Sequence, residues 1–517
     1  MLHASLKRRR NAAAYHRYMD TQPTSPASFS PALARIVATV SVGFVVTQLD
    51  VTIVNIALAR LSVALHAGVA RLQWIVDAYT LAFAVLMLSG GVLGDRYGAR
   101  RMYAAGLVVF ALASLACGLS TTPGALIAAR ALQGAGAAAM LPNSLALLNH
   151  ACGHDRALRA RAVGLWTAAG AISIAAGPVA GGLLIAAFGW RSIFLVNLPL
   201  CAAGLAATLA WVPGSRQCID AHTDAHTDGR TAGAPPAGPR GLDVRGQLLA
   251  IVALTAFTGA VIEARPLGFT HAAVVGGFAL ACIAAWALIA LEARVADPML
   301  PLALLRNRTF SAAVLFGICV NLTYYGTVFV LTLYLQHARG QTPLQAGLAF
   351  LPLTGGFLLS NVASGWAVAR YGTRAPMIVG ALVAALGYAL LVPVDAATPL
   401  AVVLLAFFLI PSGMGLAVPA MTTTVLASVE PARAGTASAA LNTARQAGGA
   451  VGVAAFGALA GNALAAAVVS GLHADAAISA ALLLTAAWLA RRVPRGRGHQ
   501  DGSAQATSAR RRTRSAG

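Results

Sequence analysis

The chain has 517 residues, of which 58% are hydrophobic and 10% charged, with a mean hydropathy of +0.73; a soluble core of this size cannot hide so much apolar surface. Composition therefore predicts an all-α polytopic membrane protein, with room for many spans of roughly 20 residues. The net charge of +21 comes from short arginine clusters between apolar runs, which fits a positive-inside topology rather than nucleic-acid binding.

Residues 1–35 are polar, basic and rich in Pro and Ser. No apolar segment adjoins the Lys7–Arg10 cluster, so this stretch reads as a cytoplasmic tail and not as a cleavable signal peptide. Apolar runs follow at about 36–58, 74–94, 103–121, 124–147, 163–187, 192–212, 244–264, 271–291, 311–335, 344–368, 376–393, 399–420, 437–465 and 475–490. They predict fourteen transmembrane helices. With the N-terminus inside, one side receives the clusters Arg96/Arg100/Arg101, Arg156/Arg159/Arg161, Arg294/Arg306/Arg308 and Arg370/Arg374. The other side receives few arginines, such as Arg60, Arg71, Arg265 and Arg339. This bias predicts an even number of spans with both termini in the cytoplasm.

After the second run stands GVLGDRYGARR, residues 91–101; after the tenth stands GWAVARYGTR, residues 365–374. Gly91, Arg96, Tyr97, Gly98 and Arg100 match Gly365, Arg370, Tyr371, Gly372 and Arg374 at one constant offset. The repeat predicts an N-terminal six-helix bundle over 36–212, a linker over 213–243 and two inserted helices over 244–291. A C-terminal six-helix bundle then covers 292–490, with a basic tail over 491–517. Parallel six-span halves with a substrate site between them are a transporter architecture.

In the first loop copy, Gly98 supplies the turn. Asp95, at the end of span 2, can accept hydrogen bonds from Arg100, Arg101 or helix N-terminal amides. Gly91, Asp95, Arg96, Gly98, Arg100 and Arg101 read either as a conformational latch or as a topology signal alone. In GPVAGG, residues 177–182, Gly177, Gly181 and Gly182 make a smooth face for close helix approach, while Pro178 can bend span 5. The HTDAHTD segment at 222–228 could bind a metal, but its surroundings read as a flexible linker. The six cysteines lack C-x-x-C spacing and imply neither a disulfide framework nor a metal site. The basic tail Arg510–Arg514 reads as lipid-facing.

GVLGDRYGARR resembles the loop motif of the major facilitator superfamily. ARALQGAGAA (129–138) is similar to its fourth-span motif, GPVAGG to its fifth-span antiporter motif, and LDVTIVNIAL (49–58) to the first-span motif of the fourteen-span drug:proton antiporters. WRSIFLVNLP (190–199) resembles the start of span 6 in that family. The chain departs from the pattern at Ala59, Ala99 and Ala369, where the family often carries Pro, Arg and Asp.

The resemblance implies that spans 1 and 4 face each other. Asp50 and Arg130 then lie at one depth, roughly 9 Å from the outer edge of the apolar slab. An ionisable residue inside a span is functional by default. The pair reads as a proton-coupling site or as a static packing ion pair. Asp77, one turn into span 2, reads as part of the same outward cavity or as interfacial, and Glu263 as interfacial. By fold analogy the substrate cavity takes Gln48 and Asn55 from span 1 and Asn321, Tyr324 and Tyr325 from span 9; Arg445 in span 13 reads either as attracting anionic or polar substrate groups or as bracing the second bundle. Its largely apolar lining suits hydrophobic or amphipathic molecules.

The expected function is proton-coupled export of such compounds across the cytoplasmic membrane, with no enzymatic activity. The alternatives are export of an endogenous antibiotic or siderophore, and a non-transporting membrane sensor. Lys7 is the only lysine, which excludes a Walker A phosphate loop and hence ATP-driven transport. No cofactor is implied, since the energy source is the proton gradient. The expected partners are protons, the lipid bilayer, the small-molecule substrate and, in a Gram-negative cell, a periplasmic adaptor protein.

Overall fold

The structure, a computed structural model, describes residues 29–152, 155–213, 243–295, 302–430, 434–461 and 464–494. The first 28 residues, the HTDAHTD segment and the C-terminal arginine run lie outside these. The described residues are helical almost throughout. The helices are α1 Pro31–Ala64, α2 Val69–Tyr97, α3 Ala99–Leu119, α4 Pro123–Cys152, α5 Arg156–Phe188, α6 Ser192–Leu195 and α7 Asn197–Trp211. There follow α8 Val244–Leu267, α9 Ala272–Glu292, α10 Leu302–Leu305 and α11 Arg308–Leu333, the last running into a π-turn at Tyr334–Ala338. The chain ends with α12 Pro343–Ala349, α13 Leu351–Tyr371, α14 Arg374–Leu391, α15 Leu400–Ala427, α16 Ala434–Ala460 and α17 Ala465–Ala490.

Local chemistry sets several ends. Ser30 caps α1, its hydroxyl accepting from Leu33 N at 3.2 Å, with Pro31 just inside the helix. Thr342 and Gln345 form a reciprocal capping box at the start of α12. Gly98, at φ +94°, breaks the chain between α2 and α3 in a conformation that L side chains rarely adopt.

Among the described residues, twelve helices are long and apolar enough to cross a bilayer, or thirteen if one bent pair counts as a single span. That pair is Arg161–Ile174 and Ala176–Phe188, which meet at 42°. Pro178 has no N–H to offer the Ile174 carbonyl four residues back, so the bend falls there. The expected count of fourteen is not reached on this criterion. The apolar run at 437–465 corresponds to α16, which is not among these spans. Its Thr, Asn, Gln, Arg and Gly residues lower its hydropathy, and its glycines serve packing instead. A Cβ on Gly448 would meet Ile318 O at 3.0 Å, and one on Gly449 would meet the Tyr325 ring at 2.8 Å.

The helices form two sets with one neighbour pattern. In the first, α1 packs on α5, α4 and α7, α4 on α2 and α3, and α3 on α7. In the second, α11 packs on α16, α15 and α17, α15 on α13 and α14, and α14 on α17. The sets meet where α2 crosses α16 and where α5 crosses α12 and α13. Helices α8 and α9 pair with each other, and α8 leans on α2 and α16. Gln247 on α8 donates to Val85 O at 2.7 Å, and Ser89 donates to Gln247. Trp74 Nε1 donates to Glu263 at 3.3 Å, which ties α8 to α2.

Helices α2 and α4 touch through backbone. A Cβ on Gly90 would strike the Ala138 carbonyl, and one on Gly94 would strike the Asn143 amide, which donates to Gly90 O at 2.9 Å. At Gly91 the nearest atom is 3.7 Å away. Gly94→Val is accordingly expected to destabilise the protein by about 1–3 kcal/mol through overpacking, while Gly91→Ala is tolerated. Thermal unfolding of the purified variants in detergent distinguishes the two.

The named contacts between the two sets cluster at the arginine-poor end. Gln336 Nε2 donates to Ile56 O at 3.0 Å, and Gln73 Nε2 to Val453 O at 3.0 Å and Ala454 O at 2.7 Å. There, too, Gly182 presses on the backbone of Leu344, and Gly347 on that of Pro178.

Candidate functional site

Within the first set, a polar cluster sits in an otherwise apolar interior. Asp50 on α1 is 0% exposed and Arg130 on α4 is 1% exposed. Arg130 Nη1 donates to Asp50 Oδ2 in a buried ion pair. The guanidinium is held on three further sides. Its Nε donates to Ile75 O at 3.1 Å, Nη1 reaches Gln133 Oε1 at 2.7 Å, and the Tyr79 ring lies under Cζ at 4.3 Å. Gln133 Nε2 donates to Asp50 Oδ1 at 2.8 Å and to Ser114 Oγ at 2.9 Å. Asn197 on α7 donates to the same two oxygens at 3.3 Å each.

Side chains from α3, α4 and α7 thus close around one buried carboxylate on α1. Such a pair is costly to desolvate and persists only with its remaining hydrogen bonds made. Taking a proton onto Asp50 would remove the charge that Arg130 balances.

Asp77 on α2 is also fully buried, and neither of its carboxylate oxygens has a hydrogen-bond partner. It takes no hydrogen bond from the Asp50 network. An uncompensated buried charge at such a place is costly.

Two cavities lie between the helix sets. One is bounded by Val54, Asn55, Tyr79, Arg130 and Tyr325, the other by Asn55, Pro178, Tyr324, Phe350 and Thr354. Asn55, Tyr324 and Tyr325 thus stand at cavity walls, and Arg130 joins the first cavity to the buried cluster. Gln48 and Asn321 line neither. Asn321 accepts from Arg445 Nε at 3.1 Å, which spends that charge within the second helix set.

The loop motif behaves differently from its simplest reading. Asp95 is exposed and makes no hydrogen bond or ion pair among the described residues. Arg100 donates instead to Leu209 O at the end of α7 at 2.9 Å, and Arg96 lies over the Tyr97 ring at 5.5 Å. Arg101 is exposed. The GPVAGG glycines divide their work. Gly177 and Gly181 seat α5 on Thr52 and Ile53 of α1, while Gly182 seats it on α12.

Sequence reasoning did not single out Ser114, Asn197 or Gln73. Their signal is a lone polar side chain within an apolar run, which points inward because lipid offers it no partner.

The Major Facilitator Superfamily model matches residues 40–453. The chain is 40% identical over 421 residues to the methylenomycin A resistance protein of Streptomyces coelicolor, covering 81% of this chain and 84% of that protein. It is 36% identical over 425 residues to the multidrug resistance protein Stp of Mycobacterium tuberculosis, covering 82% and 75%. With the tetracenomycin C resistance and export protein of Streptomyces glaucescens it shares 34% identity over 423 residues, covering 81% and 74%. Among solved structures, a bacterial homolog of the human lysosomal transporter Spinster superposes with a TM-score of 0.61 at 15% identity, covering 90% of this chain and 98% of that one. The nucleoside transporter NupG superposes with a TM-score of 0.60 at 12% identity, covering 89% and 99%; both likenesses concern the fold. The chain belongs to the Major Facilitator Superfamily and is a multi-span membrane transporter rather than an enzyme.

Proposed function

We propose that this protein exports small hydrophobic or amphipathic antibiotics across the cytoplasmic membrane in exchange for protons. The observation carrying the proposal is the Asp50–Arg130–Gln133 cluster. It places a buried carboxylate beside a cavity between two repeated helix sets, and Arg130 belongs to both. Protonation of Asp50 frees Arg130 to reorganise toward the cavity, and deprotonation draws it back. With Arg130 turned into the cavity substrate is displaced, so proton and substrate binding exclude each other, which is the minimum for exchange. Asp77 is a second acid on the same path.

Relatives named for resistance to methylenomycin A and for export of tetracenomycin C support an antibiotic as cargo. Those names also favour a second reading, in which the protein exports one antibiotic made by its own cell.

The arginine-rich end lies in the cytoplasm on this reading, with both termini and the linker. The chain then crosses fourteen times. α16 is a span whose small residues are covered by α2, α8, α11 and α17. Residues 36–212 and 292–490 form the two moving bundles, with 244–291 inserted between them. Contacts concentrated at the arginine-poor end correspond to an inward-facing state, and the unpaired Asp95 to a released latch.

The test is efflux of ethidium from preloaded cells with and without an uncoupler. Export is expected to collapse on adding the uncoupler; export that ignores it refutes proton exchange.

A further inference from the structure

The second helix set contains an acid that the cycle described above does not use. Asp475 lies midway along α17, 0% exposed. Its Oδ1 accepts from Thr327 Oγ1 on α11 at 2.8 Å and from Ser479 Oγ, one turn on, at 3.1 Å. Its Oδ2 is buried and has no partner. The hydroxyl of Tyr388 on α14, also buried, lies beside Thr323 and Thr327.

No cation faces this acid among the described residues. Arg445 on α16 is bonded to Asn321, and His473 Nε2 on α17 itself to Val394 O at 2.7 Å. Tyr324 and Tyr325 on α11 pack on each other with centroids 5.3 Å apart, and Tyr334 in the π-turn donates to Asp395 O at 2.6 Å. Tyr388 on α14 is the remaining titratable neighbour.

The position is informative. Asp50's cluster is built where α1, α3 and α7 converge, with Arg130 added from α4. Asp475's is built where α11, α14 and α17 converge, and these helices occupy the matching places in the second set. Tyr388 stands to Ser114 at the same sequence offset that relates Tyr371 to Tyr97 in the two loop motifs. At that offset Asp475 matches Cys201, one turn along α7 from Asn197. The second set therefore carries a carboxyl group at the matching helix junction, and no arginine is paired with it among the described residues. An acid there with one free oxygen, two hydroxyl donors and no counter-charge fits as a neutral carboxylic acid.

We propose that Asp475 is a second proton-binding site of the transport cycle, loaded in the conformation described and discharged when water reaches the α11–α14–α17 junction. On discharge the carboxyl O–H breaks, the electron pair stays on Oδ2 and water takes the proton. Thr327, Ser479 and a rotated Tyr388 hydroxyl then donate to the carboxylate. The proposal rests on the proton-exchange reading for its role in transport, but the protonation state of Asp475 is measurable by itself.

Full-length protein is reconstituted in liposomes, and protons moved per ethidium exported are counted for the native protein, Asp475→Asn and Asp475→Glu. Asparagine suits the site sterically, since its amide has the shape of a protonated aspartate. Asp475→Asn is expected to export with one proton fewer per substrate, and Asp475→Glu to keep the native ratio. In parallel, infrared difference spectra of native protein against each variant are expected to show the carbonyl stretch of a neutral carboxylic acid, lost in Asp475→Asn and shifted in Asp475→Glu. An unchanged proton ratio in Asp475→Asn, or no neutral-acid band in the difference spectrum, overturns the proposal. If the native protein moves no protons, the exchange reading fails, and the infrared band alone decides whether Asp475 holds one. Should Asp475→Asn not fold, the alkaline titration of the native band against that of Asp475→Glu gives the same decision.

Discussion

Asp50→Asn is expected to leave a folded protein that exports ethidium only at the rate the native protein shows with uncoupler. The amide keeps the shape of a protonated aspartate, and its oxygen still accepts from Arg130 or Gln133, so the cavity survives. What disappears is the charge that draws Arg130 away from the cavity. Arg130→Ala should be worse for a different reason. It strands a carboxylate that is 0% exposed, against Gln133 and Asn197 alone; breaking a buried pair from one side costs about 3–5 kcal/mol. The thermal unfolding temperature should be lowered in both variants, since Asp50→Asn strands a guanidinium that is 1% exposed, and more strongly in Arg130→Ala, which also loses the contacts to Ile75 O, Gln133 and Tyr79. The double variant Asp50→Asn/Arg130→Ala should recover much of that stability and none of the transport. Arg130→Lys is not a conservative exchange here. One ammonium cannot reach Ile75 O, Gln133 and Asp50 together while lying over Tyr79. Coupled export that persists in Asp50→Asn would remove this acid from the mechanism.

The parts of this site legible in the sequence are those that break an apolar run. Asp50 and Arg130 stand out because each is a charge where hydrocarbon is expected, and counting along the helices places them at one depth. Gln133 and Asn197 are uncharged amides and carry a weaker signal; only packing shows that both close on Asp50 Oδ1. Asp475 escapes for a different reason. The last apolar run begins at that residue, which makes it look like a helix end at the membrane surface. α17 in fact begins at Ala465, so the acid lies well inside the helix. Its early turns contain Ser470, Gly471 and His473, which read as a loop in the sequence although the helix is apolar enough to cross a bilayer. The same cause lowers the span count at α16, where small residues suited to close backbone approach look too polar to cross a bilayer alone. The loop motif shows a third limit. Sequence can say that Asp95 is able to latch, but whether the latch is engaged belongs to one conformation.

Closure of the arginine-poor end depends on glycines, so bulk added there should trap the transporter open at that end. A Cβ on Gly347 would strike the Pro178 carbonyl, and one on Gly182 would approach Leu344 Cα at 2.7 Å. Both obstacles are backbone, which cannot rotate aside as a side chain can. Overpacking of about 1–3 kcal/mol, imposed on the closed state alone, shifts an open–closed equilibrium by about 5–150-fold. Gly347→Leu should therefore cut the initial rate of ethidium export by about tenfold or more while the protein stays folded, because neither bundle interior is disturbed. Thr332 lines the cavity beneath this seal. In a Thr332→Cys background, a membrane-impermeant maleimide added to whole cells should label the introduced thiol poorly when Gly347 is native and readily when Gly347→Leu is added. Gly355→Ala is the control, since no atom lies within 4 Å of the added methyl group. Native export by Gly347→Leu, with Thr332→Cys still protected, would mean that the two bundles part elsewhere and that the α5–α12 contact is not the gate.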